Sequence, residues 1–430
     1  MFVVLDNGAS TIKAGRLDAP QPRLVPNAVL RADKATYIGH EIDRCRDTSG
    51  AHYRLPFEKG YLTDWDAQKA IWDGIFSEDV LGITPSESTI LVTEPYFNLP
   101  NIQDVYDQLS SRSTNSRPAT AATVRTTPAV SCRRLLIATF MFVILSRGAA
   151  PARRAVRRAR APAAQCMVVV DAGFSFTHVV PLMDGAVVWD AVKRLDVGGK
   201  LLTNQLKEVV SLRQWNMMGE TCIMNHVKES CCYVSTDFRN ELEMCRRSNP
   251  KNNPVVQEYV LPDLSKNRRG RVRRRSEEIA PADQILYMGN ERFTVPEALF
   301  RPGDIGLAQA GLAETLAAAI ALLPADLQGM FYANIGLVGG TTKLPGFRAR
   351  LLAELQPFVP VDCDAVIYES TDAVTEAYRA AAAFAARPGF ASCAVTRAEY
   401  AENGSRATRR KFPGPPSASG DVGRGKSRLR

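Results

Sequence analysis

The sequence predicts an α/β protein made of two duplicated halves that close on one phosphate chain. At Met167–His178, MVVVDAGFSFTH, four apolar residues run into an Asp, a Gly two positions later, and then hydroxyls. A short apolar run of this kind suits a buried strand, and the Gly permits a turn that brings backbone N–H groups near a ligand. An Asp at the end of a buried strand is costly unless it meets a cation or a hydrogen-bond donor. A metal held beside phosphate is its natural use. The same design opens the chain at Phe2–Thr11, FVVLDNGAST, where Asp6 and Gly8 stand as Asp171 and Gly173 do. One such stretch is weak evidence; two suggest duplication.

In chain order, residues 1–108 read as compact α/β. KAGRLD continues the first hairpin, and the Pro-rich APQPRLVPN ends the strand-like part. DWDAQKAIWDGIFSEDV predicts a helix, with Trp65, Ile71, Trp72, Ile75 and Phe76 near helical spacing and Asp64 as its cap. STILVTEPYF reads as a strand that stops at Pro95. From Gln165 the strand pair MVVVDAGFSFTHVVPLMDGAVVWDAV turns at Asp184-Gly185. DVGGKLLTNQLKEVV starts a helix after a glycine pair. NHVKESCCYVSTDFRNELEMCRR reads as helical and then strand-like at CCYVS. ILYMGNERFTVPEALF gives a strand and a helix near Pro296, and AQAGLAETLAAAIALL a strong helix. NIGLVGGTTKLPGF gives a strand, a Gly-Gly turn and a helix start; VTEAYRAAAAFAA reads as the last helix. The Pro/Gly/Ser-rich tail from about Phe412 predicts disorder.

The net charge of +9 raises the question of nucleic-acid binding, but its location answers against it. Residues 109–165 hold eleven Arg and no Lys, Asp or Glu, and residues 403–430 hold eight Lys or Arg against one Asp. The rest of the chain is acidic, so the basic balance belongs to two odd segments rather than to the fold. Residues 109–165 keep neither helical nor strand periodicity. Their pattern fits a retained intron or a wrong frame replacing about one structural unit, with a disordered insertion as the alternative; the transcript sequence decides. The polar, basic stretch 264–283 reads as a solvated loop, in which Arg268–Arg275 is either plain surface or a nuclear-localisation or acidic-partner patch. The nine Cys include no C-x-x-C pair and suggest free thiols in a reducing compartment. Met1 leads straight into the first strand, without a signal-peptide pattern. Leu135–Leu145 is too short for the ~20 residues of a membrane span. A soluble intracellular protein is expected.

DNGAST, DAGFSFTH and VGGTT together resemble the superfamily of actin, the seventy-kilodalton chaperones and the sugar kinases. MGNERFTVPEALF, KESCCYVSTDF, LVGGTTKLPGF and TDWDAQKAIWDGIF narrow the resemblance to the actin family, over most of 1–108 and 166–400. EPYFNLPNIQDVYDQL, the stretch from VDAGFSFTH to LRQWNMM, and the ending VTRAEYAENGS are similar to its actin-related protein six branch. The resemblance implies an actin-like fold of two ribonuclease-H-like halves with a nucleotide cleft between them. Residues 1–165 and 372–412 would form the first half, 166–371 the second with the basic insertion, and 413–430 a tail. It also implies a nuclear subunit, with a possible cytoplasmic pool, of a chromatin-remodelling complex that exchanges a variant histone. The implied partners are a zinc-finger HIT-type protein and the remodelling motor, with histones or the nucleosome contacted indirectly and no membrane.

The resemblance also assigns site roles. Asp6 and Asp171 would hold magnesium, largely through waters, and Lys13 would face the β- and γ-phosphates of ATP or ADP. Gly8 and Ser10 of the first loop and Gly173 of the second would cradle phosphate. Lys228 and Glu229 match adenosine and ribose contacts, and Gly339, Gly340 and Thr341 the wall beside the base. Where actin carries a further acid and Gly, this chain has Phe174 and Ser175. His178 aligns with a histidine that orders attacking water, or is simply a hydrogen-bonded core residue; its partner glutamine has no match in 109–165. Nucleotide binding without hydrolysis is therefore expected, and no catalytic residue is assigned. The region after Tyr37 is too short for actin's pointed-end loop, which argues against filaments. A cytoskeletal actin-like ATPase is the alternative, and a sugar-kinase-type enzyme a more distant one. The last helix carries Ala381 and Ala382 where the family has a Gly pair, which questions a nucleotide-linked hinge there.

Overall fold

In the computed structural model, the described residues are 1–111, 130–131 and 165–411, except 20, 33–34, 46–51, 248–252, 264–268, 275–276, 278–279, 282, 389 and 391–393. Most of 109–165 and the tail from Phe412 lie outside them, so the expectations for those segments do too.

Two sheets repeat one plan. In the first, the order is Val130–Ser131, Thr89–Val92, Phe2–Asn7, Thr11–Arg16 and Arg23–Pro26. In the second it is Ile367–Glu369, Ile335–Val338, Cys166–Ala172, Thr177–Met183 and Ala186–Val187, with Lys193–Leu195 also paired to Thr177–Met183. In each, the central strand runs antiparallel to its hairpin partner and parallel to a strand from later in the chain. The match extends to register: Asp6 lies opposite Lys13, and Asp171 opposite His178. Val130–Ser131 pairs parallel with Leu91–Val92, in the place that Ile367–Glu369 takes in the second sheet. A short fifth strand therefore stands within a segment that shows no strand periodicity in sequence.

The central strands are buried on both faces, which is why they read as unbroken apolar runs. Val168 and Val170 face one core, with Leu202, Leu206 and Leu316, while Met167 and Val169 face another. That second cluster takes Val338, Ala380 and the rings of Tyr96 and Phe97, so it joins the two sheets. Val3 and Leu5 pack on Ile71, Trp72 and Ile75 of helix Trp65–Phe76. Asp64 caps that helix, accepting from the Ala67 amide at 3.1 Å. Asp184 and Gly185 both take positive φ, 49° and 78°, as the expected tight turn requires. Helix Gly199–Arg213 follows the glycine pair.

Some elements differ from expectation. Arg23–Pro26 is a strand, held against Thr11–Ala14, so Pro22 and Pro26 bracket an edge strand rather than end the sheet. Cys232–Ser235 is not a strand: its amides bond singly, Tyr233 to the Arg292 carbonyl and Val234 to the Pro345 carbonyl. The basic insertion is more than a solvated loop. Arg271–Val272 joins a three-stranded sheet beside Gln257–Val260, Arg271 pairs with Glu277, and Arg273 with Glu258. Nor is Glu376–Ala385 the last helix. Arg397–Asn403 follows, started by a capping box between Thr396 and Glu399, and then Ser405–Lys411.

Helix Glu376–Ala385 sits at the junction. Ala380 belongs to the cluster with Met167, Val169 and Val338, while Tyr378 and Ala381 pack on Val4 and Leu91 of the other sheet. Small side chains let the helix approach both. Ala380→Phe is expected to lower stability by about 1–3 kcal/mol through overpacking, read as a shift in urea midpoint with unchanged slope.

Candidate functional site

The two hairpins meet at a cleft of about 470 Å³. Every residue assigned to it from the sequence lines it: Asp6, Gly8, Ser10, Lys13, Asp171, Gly173, Lys228, Glu229, Gly339, Gly340 and Thr341. Strand ends deliver the two acids. Asp6 accepts a hydrogen bond from Thr93 Oγ1 at 2.7 Å and pairs with Lys13 Nζ at 3.2 Å. Asp171 lies within reach of both charges: burial and the Asp6 carboxylate push its pKa up to about 6, with Lys13 opposing. One lysine thus faces two carboxylates at the cleft, a deficit of positive charge.

The first loop is fixed from behind. Asn27 Nδ2 donates to the Gly8 carbonyl at 2.9 Å, and the Asn27 amide to the Ser10 carbonyl at 2.9 Å. Asn7 donates to Tyr106 Oη and accepts from the Trp72 indole, and its amide donates to Thr93 Oγ1. The second loop is clamped by its neighbours. The Gly173 carbonyl accepts from the Gly199 amide at 3.1 Å and from Thr341 Oγ1 at 2.8 Å, and the Phe174 carbonyl from the Lys200 amide. A Cβ on Gly198 would press on the Ser175 carbonyl carbon at 2.6 Å. Gly339 holds φ +90°, and a Cβ there would run into the Ala172 carbonyl oxygen.

Lys228 differs in detail from a free ligand contact. Its ammonium donates to the Gly199 carbonyl, Thr203 Oγ1 and Asn225 Oδ1 at 2.8–3.0 Å, using all three donors. Burial lowers its pKa, which the Glu229 charge opposes. Its positive charge and stem, not a spare donor, face the cleft. Glu229 accepts from Asn225 Nδ2 at 2.8 Å.

Phe174 lines the cleft beside Gly199. His178 is buried among Tyr96, Phe97 and Phe176, with Nε2 lacking a hydrogen-bond partner. Burial, helped by the Arg194 charge, drops its pKa to about 3, so it is neutral at physiological pH. Neither alternative read from the sequence describes it fully: it is a core residue, but not a hydrogen-bonded one. Over it, Arg194 stacks on Phe176 at 3.9 Å and donates to Tyr61 Oη, tying the cleft's roof across the two halves.

Sequence reasoning missed Thr93 and Asn27, and Glu94, which also lines the cleft. Thr93 was findable, since it follows a parallel strand at the height of Asp6. Asn27, in a Pro-rich run, carries no such signal.

The actin family profile matches residues 1–413. The chain belongs to the actin family. It is 44% identical to Actin-like protein ARP6 of Cryptococcus neoformans, over 95% of this chain and 84% of that one. It is 36% identical to Actin-related protein 6 of Drosophila melanogaster, over 94% and 97%. The Arabidopsis thaliana Actin-related protein 6 shows 34% identity over 96% and 99%. An actin-related protein with the actin-like fold is therefore established.

Among the described residues no three His, Cys, Asp or Glu side chains gather as a metal cluster. A divalent cation still fits, because Asp6 and Asp171 supply two acidic ligands that lack enough positive charge, leaving other positions to water and phosphate.

Two outcomes follow for the free protein. Asp171, raised from 3.8 to about 6, costs stability once ionised. Asp171→Asn should therefore gain on wild type as pH rises between those values, reaching a plateau of about 2–3 kcal/mol in denaturant titrations. His178, lowered from 6.5 to about 3, supports the fold fully above 6.5 and progressively less as pH falls toward 3. Its ring should show neutral-imidazole NMR shifts at pH 5, where an exposed histidine is mostly protonated.

Proposed function

We propose that the chain is a non-catalytic actin-related subunit of a histone-variant-exchanging chromatin-remodelling complex. It holds ATP or ADP with magnesium as a structural ligand. The observation that carries the site half of this reading is the convergence of Asp6, Asp171 and Lys13 between two backbone-clamped loops. Bound magnesium would supply the positive charge that the paired carboxylates and the phosphates both require. Asp6 and Asp171 hold the cation, Lys13 faces phosphate, and the Gly8 and Gly173 loops offer backbone amides.

Support for the absence of turnover comes from the second loop. Phe174 brings no oxygen to the phosphate end, and His178 stays neutral in an aromatic cage. A buried imidazole whose pKa is lowered to about 3 is a weak base, poorly suited to deprotonate water. The assembly half of the reading draws on the resemblance to the actin-related protein 6 branch. On this reading the protein works in the nucleus beside a zinc-finger HIT-type protein and the remodelling motor, in indirect contact with histones, with a possible cytoplasmic pool.

Affinity purification of the tagged chain from nuclear extract tests this reading. Recovery of a remodelling motor with a zinc-finger HIT-type protein is expected. Recovery of tubulin, dynein or filament-capping proteins instead would contradict it and favour a cytoskeletal role.

A further inference from the structure

Two stretches of chain, far apart in sequence, line the end of the cleft that the nucleotide reading gives to adenosine. One is the last turn of helix Thr221–Cys231, with Lys228 and Glu229; the other is Gly339–Thr341 with Leu344. Just beyond these residues the two stretches run against each other. The Val234 amide donates to the Pro345 carbonyl at 2.8 Å. Gly346 takes φ +84°, and a Cβ there would run into the Val234 carbonyl oxygen, so the approach requires glycine.

Arg350 fastens this crossing. It lies in the first turn of helix Phe347–Leu355, and its Nη1 donates to the Ser235 carbonyl at 2.6 Å. The same guanidinium grips Glu297 through Nη1 at 3.2 Å and Nη2 at 2.7 Å, and Nε donates to Glu354 at 2.7 Å. The Arg350 and Glu297 side chains are only 9% and 5% exposed. Glu297 stands in the wholly buried turn Pro296–Leu299, and the Phe300 ring lies 5.1 Å from the guanidinium carbon. The fork is therefore anchored in the core.

A buried ion pair is a poor source of net stability, because desolvation offsets the attraction and apolar residues of similar volume often serve as well. What a planar guanidinium adds is direction: it holds two carboxylates and a backbone carbonyl in one fixed arrangement. Here that arrangement joins the segment after Lys228 to the helix after the Gly339 turn. We propose that Arg350 is a positioning residue for the nucleotide base, setting the spacing between those two lining stretches through Ser235 and Gly346. It does not itself line the cleft. The role rests on the cleft holding nucleotide. The phosphate end is built separately, with Asp6 and Lys13 on the first sheet and Asp171 at the end of a strand in the second.

The test compares two ligands on the full chain by titration calorimetry: magnesium ATP, and magnesium tripolyphosphate, which has the phosphates without base or sugar. Arg350→Lys keeps a charge beside Glu297 but loses the fork. Arg350→Met combined with Glu297→Leu replaces the pair by apolar side chains of similar size, and should keep the wild-type melting temperature. In both variants affinity for ATP should fall about tenfold, the scale of one charged hydrogen bond, while affinity for tripolyphosphate stays at the wild-type value. Unchanged ATP affinity, or an equal loss for both ligands, would overturn the role of Arg350 while leaving the nucleotide site in place. Failure of the wild-type chain to bind ATP would overturn the nucleotide reading and this role with it.

Discussion

Two carboxylates at the ends of buried strands, facing one lysine, are the constraint around which this molecule is arranged. Asp6 and Asp171 are brought together because each half repeats one hairpin, and each hairpin ends in an acid. The fold stabilises Asp6 with Thr93 and Lys13. Asp171 is left with burial and a like charge, and its raised pKa records that cost. A bound cation and its phosphates would resolve the imbalance, so the cleft and the closure of the halves belong to one electrostatic problem.

The rest of the site keeps those groups in place. Asn27 and Asn7 hold the first loop through its backbone, while Gly199 and Thr341 hold the second. Helix Glu376–Ala385 packs small side chains on both sheets, so a shift between the halves must pass through Ala380 and Ala381. At the second loop, Phe174 lines the cleft with a ring rather than an oxygen, and His178 is held neutral in an aromatic cage.

The central strands were legible in the sequence because strands buried on both faces leave unbroken apolar runs, and the repeated Asp-x-Gly gave the duplication. Helix Trp65–Phe76 was legible through its spacing and its Asp64 cap. The misreadings have physical causes. CCYVS has strand composition, yet its amides are taken singly by the Arg292 and Pro345 carbonyls. Arg23–Pro26 looked like a breaker because an edge strand tolerates proline that a central strand does not. Arg271–Val272 is paired by long-range contact with Tyr259–Val260, which local composition does not encode. The site was legible where backbone geometry demands Gly or a strand-end Asp. It was not where a side chain such as Asn27 acts from behind, since its role depends on a carbonyl nineteen residues away in sequence.

The most direct test of the central claim is the fate of nucleotide on the purified full chain. The chain is loaded with ATP and magnesium, freed of excess, incubated for hours, and quenched to separate ATP from ADP. One intact ATP per chain, with retention lost in Asp171→Asn, is the expected result. Stoichiometric conversion to ADP with phosphate release, or retention unaffected by that substitution, would contradict the account.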